Sequence, residues 1–209
     1  MVIAPMNLFV TRAALLLLFT PAVFAASNTD LTVKGSITPS ACAPLISGGG
    51  TIDFGKMAAK DLEAEQYTSL PHQTMQLSVR CEAPTFFTLS TIDNRAGSSA
   101  NHANWHGLGM TSDGEKLGGA AFHLYAPVAD GVAARAITSV DGGVTWLPTS
   151  MLTHTMLTAI ARGNQLVPIA VQDFDAEIRL FTHIAPANGL TLTDEVPVDG
   201  HATVQVNYL

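Results

Sequence analysis

The sequence predicts an all-β protein, a sandwich or barrel of short antiparallel strands, on three observations. Apolar and polar residues alternate with a period of two along several segments, which places one face of a strand on a core and the other in water. Turn-forming pairs such as Asp113-Gly114 and Asp199-Gly200 interrupt the chain at short intervals. Helical periodicity is scarce. Many short strands separated by glycine-rich turns favour a sandwich or barrel.

The N-terminal segment is predicted to be a secretory signal peptide, residues 1–25, with translation starting at Met1 or Met6. Arg12 precedes an apolar run over residues 13–19, and small residues precede a cut after Ala25. The run is too short to span a bilayer. The alternative is an N-terminal membrane anchor.

The mature chain, residues 26–209, is predicted to fold as one domain after export. Its residues 26–38 form an N-terminal arm and first strand. The whole chain has a net charge of −7 and 10 Lys and Arg residues. Because no basic cluster is present to neutralise phosphates, nucleic acid is excluded as a partner.

The chain has two cysteines, Cys42 and Cys81. In the oxidising compartment that export implies, such a pair predicts one disulfide. Closing this loop would stabilise the fold by about 4 kcal/mol on the chain-entropy estimate. The alternative is two free buried thiols, and two cysteines without spaced partners do not make a zinc site.

The individual elements follow from the alternation and the turns between them. Two short helices are the alternatives to loop structure, at Ala58–Gln66 and at Ser150–Arg162, although the threonines of the second argue against a helix. The predicted strands are, in order, Leu31–Thr38, Thr51–Met57, Met75–Cys81, Thr85–Ile92, Ala121–Tyr125, Leu166–Val171, Glu177–Ile184 and Ala202–Tyr208.

The stretch Ser139–Trp146, S-V-D-G-G-V-T-W, fits the Asp-box pattern of sialidase and related β-propeller hairpins. A propeller needs several four-stranded blades, which exceed this length, and the box occurs once. Glycoside hydrolysis needs two placed carboxyl groups, and no pair stands out here. We therefore interpret the stretch as a hairpin turn in which Asp141 caps backbone N–H groups and Trp146 covers the turn. A secreted glycosidase is the alternative.

The remaining candidate sites indicate no catalysis. His102 and His106 are four residues apart, but that spacing converges on a metal only in a helix, so we expect a loop with two solvated imidazoles. No nucleophile elbow and no phosphate-binding loop is present. The sequence predicts no enzyme, no catalytic residue, no cofactor and no metal. Trp105, in the same loop, is interpreted as a core or cover residue, with stacking on a sugar as the alternative.

Four stretches resemble the subunits of chaperone–usher pili. Val33–Ile37 carries an apolar residue, a glycine and another apolar residue, with Cys42 five residues on. Thr51–Met57 looks like the next pilin strand, Met75–Cys81 like the strand that delivers the second cysteine, and Val204–Leu209 like a pilin C-terminus with its penultimate tyrosine. The turns resemble those of fimbrial-like secreted proteins catalogued as a bacterial domain of unknown function.

The resemblance implies an immunoglobulin-like, pilin-type β-sandwich that lacks its last strand. A periplasmic chaperone would lend the missing strand, and the arm of another fimbrial subunit would replace it at an outer-membrane usher. Localisation would be the periplasm and then the cell surface, in a fimbrium or pilus used for cell adhesion. The expected groove residues are Val204, Val206 and Tyr208, with the Leu209 carboxylate against basic chaperone residues, and the expected donor residues are Leu31, Val33, Gly35 and Ile37.

Two alternatives to this interpretation are kept. The first is an ordinary closed sandwich whose edge strands happen to be apolar. The second is a secreted carbohydrate-binding adhesin subunit that contacts a host glycan through an exposed aromatic residue, Trp105 or Trp146.

Overall fold

The structure is a computed structural model that describes Thr32 and residues 41–209. The predicted signal peptide and, apart from Thr32, the predicted arm with its donor residues Leu31, Val33, Gly35 and Ile37 lie outside the described residues.

Residues 41–209 form an all-β structure with three short 3₁₀ turns, Ser47–Gly50, Ala59–Asp61 and Ala187–Gly189, and no α-helix. Within these residues no helix offers the length and apolarity needed to cross a membrane. The strands are β1 Cys42–Ile46, β2 Thr68–Ser69, β3 Gln73–Thr85, β4 Phe87–Asp93, β5 His106–Gly107, β6 Gly118–Ala129, β7 Val132–Ala133, β8 Arg135–Ser139, β9 Met151–Leu152, β10 Leu157–Ala161, β11 Val171–Ile184 and β12 Ala202–Tyr208.

Two antiparallel sheets face each other, which confirms the predicted β-sandwich. The first sheet has the order β1-β3-β11-β6-β5, with β2 paired to β11 and with β7 and β9 paired to β6. The second sheet has the order β12-β4-β10-β8. The arrangement is consistent with an immunoglobulin-like sandwich.

The core lies between the two sheets and is built from every second residue of the long strands. Leu77 and Val79 of β3 and Phe174 of β11 meet Leu89 of β4 and Ile160 of β10, all of them at most 2% exposed. Removing these apolar side chains from water is the main favourable term in folding. The strands β3, β4, β6, β11 and β12 confirm the predictions made from alternation.

A second apolar cluster closes one end of the sandwich. It contains Leu108, Leu180 and Ile184, with Ile52 and Phe54 packed on it. The predicted strand Thr51–Met57 was wrong, because this segment pairs with no strand, although residues 51–54 do alternate between exposed and half-buried. Alternation here reflects packing on the cluster and not pairing with a neighbouring strand.

One further predicted strand was wrong, and neither of the two possible helices forms. Leu166–Val171 is not a strand, because residues 166–170 belong to no strand and β11 begins only at Val171. Ala58–Gln66 forms a 3₁₀ turn at Ala59–Asp61 and no α-helix. Ser150–Arg162 contains β9 and β10, which agrees with the preference of its β-branched threonines for strands.

The predicted disulfide between Cys42 and Cys81 is confirmed. The two residues are directly opposite each other on β1 and β3, with their Cα atoms 4.0 Å apart. The bond therefore fixes β1, an outermost strand, to its neighbour β3 in the first sheet. Such a bond persists in an oxidising compartment, which indicates an extracytoplasmic protein.

Candidate functional site: an open edge between the first and last strands

Strands β1 and β12 are the outermost strands of their sheets on the same side of the sandwich, and they lie close to each other. Among the described residues, the hydrogen bond between these two strands is the one that the Cys42 N–H donates to the Tyr208 hydroxyl, at 2.9 Å. We call β1, β12 and the gap between them the open edge.

The backbone of β12 has a row of free groups along this gap. Asn94 N–H donates to the His201 carbonyl at 2.9 Å, and Leu209 N–H donates to the Phe86 carbonyl at 3.2 Å. In an antiparallel pair, alternate residues direct their N–H and C=O to the partner strand. The residues in between, Ala202, Val204, Val206 and Tyr208, therefore direct theirs into the gap, where no described residue pairs with them. Such a row is a template for another strand.

The facing edge of β1 is less able to accept a strand. The Ala41 carbonyl accepts a hydrogen bond from Glu82 N–H at 3.1 Å, so Cys42, Pro44 and Ile46 direct their backbone outward. The Cys42 N–H is already bonded to Tyr208, and proline has no N–H to donate. An added strand would therefore pair mainly with β12.

An apolar cavity of about 200 Å³ opens between the two sheets at this edge. Val204 and Val206 lie half-buried against the main core and continue it towards the gap. The apolar walls include Ile46, Met75, Phe122, Leu152, Ile178 and Val204. The open edge therefore combines free backbone groups with an accessible part of the core.

The buried polar side chains of the cavity are Thr91, His106 and Thr182, and the exposed His201 also lines it. His106 is 2% exposed, with its Nε2 2.7 Å from the Thr91 hydroxyl and its Nδ1 3.3 Å from the Ala120 carbonyl. A neutral imidazole fits this arrangement, with Nδ1–H donating to the carbonyl and Nε2 accepting from threonine. Burial lowers the pKa of His106, which favours that neutral form. The Thr182 hydroxyl is buried without a hydrogen-bond partner in the described residues.

This region corrects the expectation of two solvated imidazoles. His102 is exposed, but His106 is buried in β5. In residues 41–209, no group of three or more His, Cys, Asp or Glu side chains is placed to hold a metal. The Thr91–His106 pair was not predicted. The available signal was the position of Thr91, which lies on the same face of its strand as the core residues Phe87 and Leu89.

The other predicted groove residues, Tyr208 and Leu209, lie at the disulfide end of the open edge. Tyr208 is 43% exposed and Leu209 is 56% exposed. Leu209 also lies against the Asp-box turn, because a Cβ atom placed on Gly143 would be 3.9 Å from its side chain. Exposed Phe86 and Val144 surround this end of β12 with further apolar surface.

The Asp box is the hairpin turn that the sequence predicts. The Asp141 carboxylate accepts hydrogen bonds from Val144 N–H at 3.1 Å, Thr145 N–H at 2.9 Å and the hydroxyls of Thr145 and Ser139. These bonds, led by the Thr145 hydroxyl, hold the pKa of Asp141 well below its usual range. Trp146 packs against the buried cluster around Ile137 and covers the turn, which confirms the structural interpretation.

Trp105 is half-buried and lies on the first sheet. Its ring is 4.9 Å from the ring of His183, measured between centroids. Trp105 therefore lies half-buried against His183, as a cover residue would, and part of its side chain is accessible.

Comparison with known proteins gives relatives without a stated activity. A family described as "Protein of unknown function (DUF1120)" matches residues 31–106. The chain is similar to Protein GltF of Escherichia coli, at 24% identity over 95% of this chain and 97% of that protein. It is also similar to Uncharacterized protein YhcF of Escherichia coli, at 22% identity over 88% of this chain and 92% of that protein.

Proposed function

We propose that the protein is an exported structural subunit of a fimbrial-like assembly, completed at its open edge by a β-strand from another polypeptide. The observation that carries this proposal is the row of outward backbone groups at Ala202, Val204, Val206 and Tyr208, beside an apolar cavity. A strand added there would pair with β12 and cover the core in one step.

The first occupant would be a strand lent by a periplasmic chaperone. Unpaired apolar edges aggregate, so a newly exported chain needs such protection. Leu209 is exposed, and the apolar surface at this end of β12 extends the contact that a chaperone strand could make.

The second occupant would be the arm of another subunit, residues 26–38, transferred at an outer-membrane usher. Leu31, Val33, Gly35 and Ile37 alternate with polar residues, so a strand of this composition would place one apolar face in the cavity. Growth of a fibre at the cell surface would follow from repeating this exchange.

The test is addition of a synthetic peptide with the sequence of residues 26–38 to the purified mature protein. We expect a saturable rise in thermal midpoint, because a ligand at about 100 times its Kd stabilises the native state by about 2.7 kcal/mol. A matched peptide with Val33→Asp and Ile37→Asp should give no rise. Equal midpoints with and without the first peptide would contradict the proposal.

A pair of variants tests the strand that receives the peptide. Val206→Asp places a carboxylate on the cavity side of β12, whereas Gln205→Asp places one on the exposed side. We expect the first to abolish the peptide response and the second to retain it. An unchanged response in an oxidised, folded Val206→Asp protein would refute the assignment of β12.

The proposal also predicts how the protein behaves in cells. Expressed alone in the periplasm, the chain should aggregate or be degraded, and co-expression of a chaperone and usher encoded beside its gene should restore soluble protein. Equal yields of soluble monomer in the two strains would favour the closed sandwich.

A further inference from the structure

We propose that the outer face of the first sheet carries a binding site for a neutral saccharide, formed by Tyr67, Trp105 and His183 around Asn101. The site uses the face of the sheet that is directed away from the core, so it is independent of the open edge and of the function proposed above.

The sheet itself provides the base of the site. In β11, Phe181 and His183 alternate with the core residues Leu180 and Thr182 and therefore lie on the outer face. Their neighbours on β6 are Ala121 and Gly119. Because these neighbours are small, the rings of β11 stand beside a shallow recess.

Trp105 and Asn101 occupy the recess above Gly119. A Cβ atom at Gly119 would be 3.4 Å from the Trp105 ring and 3.0 Å from the Asn101 Oδ1. The His183 ring lies 4.9 Å from Trp105 and 6.4 Å from Tyr67, between centroids. The absence of a side chain at Gly119 thus allows three rings and one amide to come together.

The local backbone holds these groups in place. The Tyr67 hydroxyl donates to the Ala100 carbonyl at 2.6 Å, and Ala100 N–H donates to the Gly118 carbonyl at 3.0 Å. The Trp105 N–H donates to the His102 carbonyl at 3.0 Å. Rings fixed in this way lose little freedom when they bind a ligand.

Asn101 provides an unsatisfied hydrogen-bonding group at the centre of the site. Its Nδ2 is 3.4 Å from the His183 Nδ1, but its Oδ1 is buried without a hydrogen-bond partner in the described residues. Buried polar atoms in folded proteins are nearly always paired. Asn101 also lines the open cavity, so rotation of its side-chain amide would bring this oxygen to a ligand hydroxyl, which would supply the missing donor.

The chemistry of the walls selects the class of ligand. An open cavity of about 660 Å³ is bounded by the rings of Tyr67, His102 and His183 and by the polar side chains of Glu65, Gln66, Ser69 and Asn101. Trp105 flanks this cavity through its contact with His183. Among the described residues, no aliphatic side chain, Lys or Arg lines it. An apolar ligand would find no aliphatic wall. An anion would face Glu65 with no Lys or Arg in the lining to balance its charge, and burial lowers the pKa of His183.

An uncharged sugar ring fits both the aromatic rings and the polar side chains of this cavity. Its C–H face packs against aromatic rings, and its hydroxyls bond to carboxylate, amide and hydroxyl groups. The cavity volume is within the range of about 300–1,000 Å³ that ligand sites occupy. The geometry therefore points to a neutral pyranose and not to a sialylated or sulfated one.

The experiment uses the two tryptophans of the chain. In Trp146→Phe, Trp105 is the remaining tryptophan and reports on the site by its fluorescence. Neutral oligosaccharides terminating in glucose, galactose, mannose or N-acetylglucosamine are titrated in turn. We expect at least one of them to give a saturable change in Trp105 fluorescence. The reverse variant, Trp105→Phe, should show no change and at least tenfold weaker binding by calorimetry.

Two glycine variants separate the site from general stability. Gly119→Ala should weaken saccharide binding at least tenfold, because its Cβ displaces Trp105 and Asn101. Gly189→Ala, where the added Cβ meets no atom within 4 Å, should bind as the parent protein does. Absence of a saturable response to all neutral saccharides, or equal affinity in Trp105→Phe, would overturn the proposal. Binding retained in Val206→Asp would show that the site works independently of the open edge.

Discussion

The two long sides of the sandwich are closed in different ways. On the side of β6 and β8 the chain crosses between the sheets three times, at residue 134, between β8 and β9, and between β9 and β10. The outer edge of β6 is covered by β5, β7 and β9, and Thr138 of β8 exchanges two hydrogen bonds of 2.8 Å with Leu147. On the opposite side, β1 and β12 are joined in the described residues by the Cys42–Tyr208 bond.

This difference shows which sheet edges are covered by segments of the same chain. Short strands and the Asp-box turn cover the edges on one side, a common way to prevent pairing with other chains. The open edge has no equivalent cover in residues 41–209, and it is where the disulfide fixes β1. The five predictions that follow test this comparison.

The largest effect is expected from the disulfide. The double variant Cys42→Ser and Cys81→Ser should lower the free energy of unfolding by about 4 kcal/mol, because 39 residues separate the cysteines and the loop is no longer closed. Urea unfolding of the variant and the oxidised parent measures the difference. A loss below about 1 kcal/mol would mean that β1 is held to the sandwich by other contacts.

The second prediction compares core positions on the two sides. Ile137→Ala, at a fully buried position, should cost about 3 kcal/mol, whereas Val204→Ala, at a half-buried position on the open edge, should cost about 1 kcal/mol. Urea unfolding at one pH measures both variants. Equal losses would show that the cavity at Val204 is already filled in the isolated protein.

The sequence predicted the parts of this comparison that local patterns determine. Alternation identified β12 and the centre of β3, and the Asp-Gly-Gly pattern identified the turn at Asp141. It did not distinguish a strand from the unpaired segment Thr51–Met57, because residues 51–54 alternate as a strand would. Strand pairing is a property of distant segments, so local alternation alone does not determine it.

The prediction of an open edge came from the resemblance to pilins and not from the periodicity of the sequence. The bond between Cys42 and Tyr208 joins residues 166 positions apart. The saccharide site joins Tyr67, Trp105 and His183, whose approach follows from the register of β6 and β11. Single residues of such sites look ordinary in the sequence, because what defines them is their position relative to each other.

The third prediction concerns acid sensitivity at the open edge. Burial lowers the pKa of His106 in the folded protein, whereas in the unfolded chain the imidazole has its ordinary pKa of about 6.5. As the pH falls, the unfolded chain therefore binds a proton at His106 before the folded protein does. Stability from His106 is therefore complete above about pH 6.5 and decreases as the pH falls below it. His106→Gln should reduce the dependence of unfolding free energy on pH between about 7.5 and 5.

Urea unfolding at several pH values measures this slope. Exposed His201, at the start of β12, provides a matched control as His201→Gln. The pKa values of His123 and His183 are also lowered by burial, so part of the slope should remain in His106→Gln. An unchanged slope would mean that the imidazole of His106 takes up its proton in the folded protein.

The fourth prediction places the acid sensitivity of the closed side at lower pH. The hydrogen bonds in the Asp-box turn lower the pKa of Asp141, so its contribution is complete above the unfolded pKa of about 3.9 and is lost as the pH falls further. Asp141→Asn should therefore melt below the parent at pH 7, and the two midpoints should converge below about pH 4. Midpoints that stay equally far apart at pH 3 would contradict it.

The smallest effect is expected from the hydrogen bond across the open edge. Tyr208→Phe removes the hydroxyl that accepts from Cys42 N–H, but this bond is exposed and water can replace it. The variant should lose less than about 0.5 kcal/mol in urea unfolding. A loss of unfolding free energy above about 1.5 kcal/mol would mean that this bond holds the open edge closed. An incoming strand would then have to break the bond between Cys42 and Tyr208 before it could pair with β12.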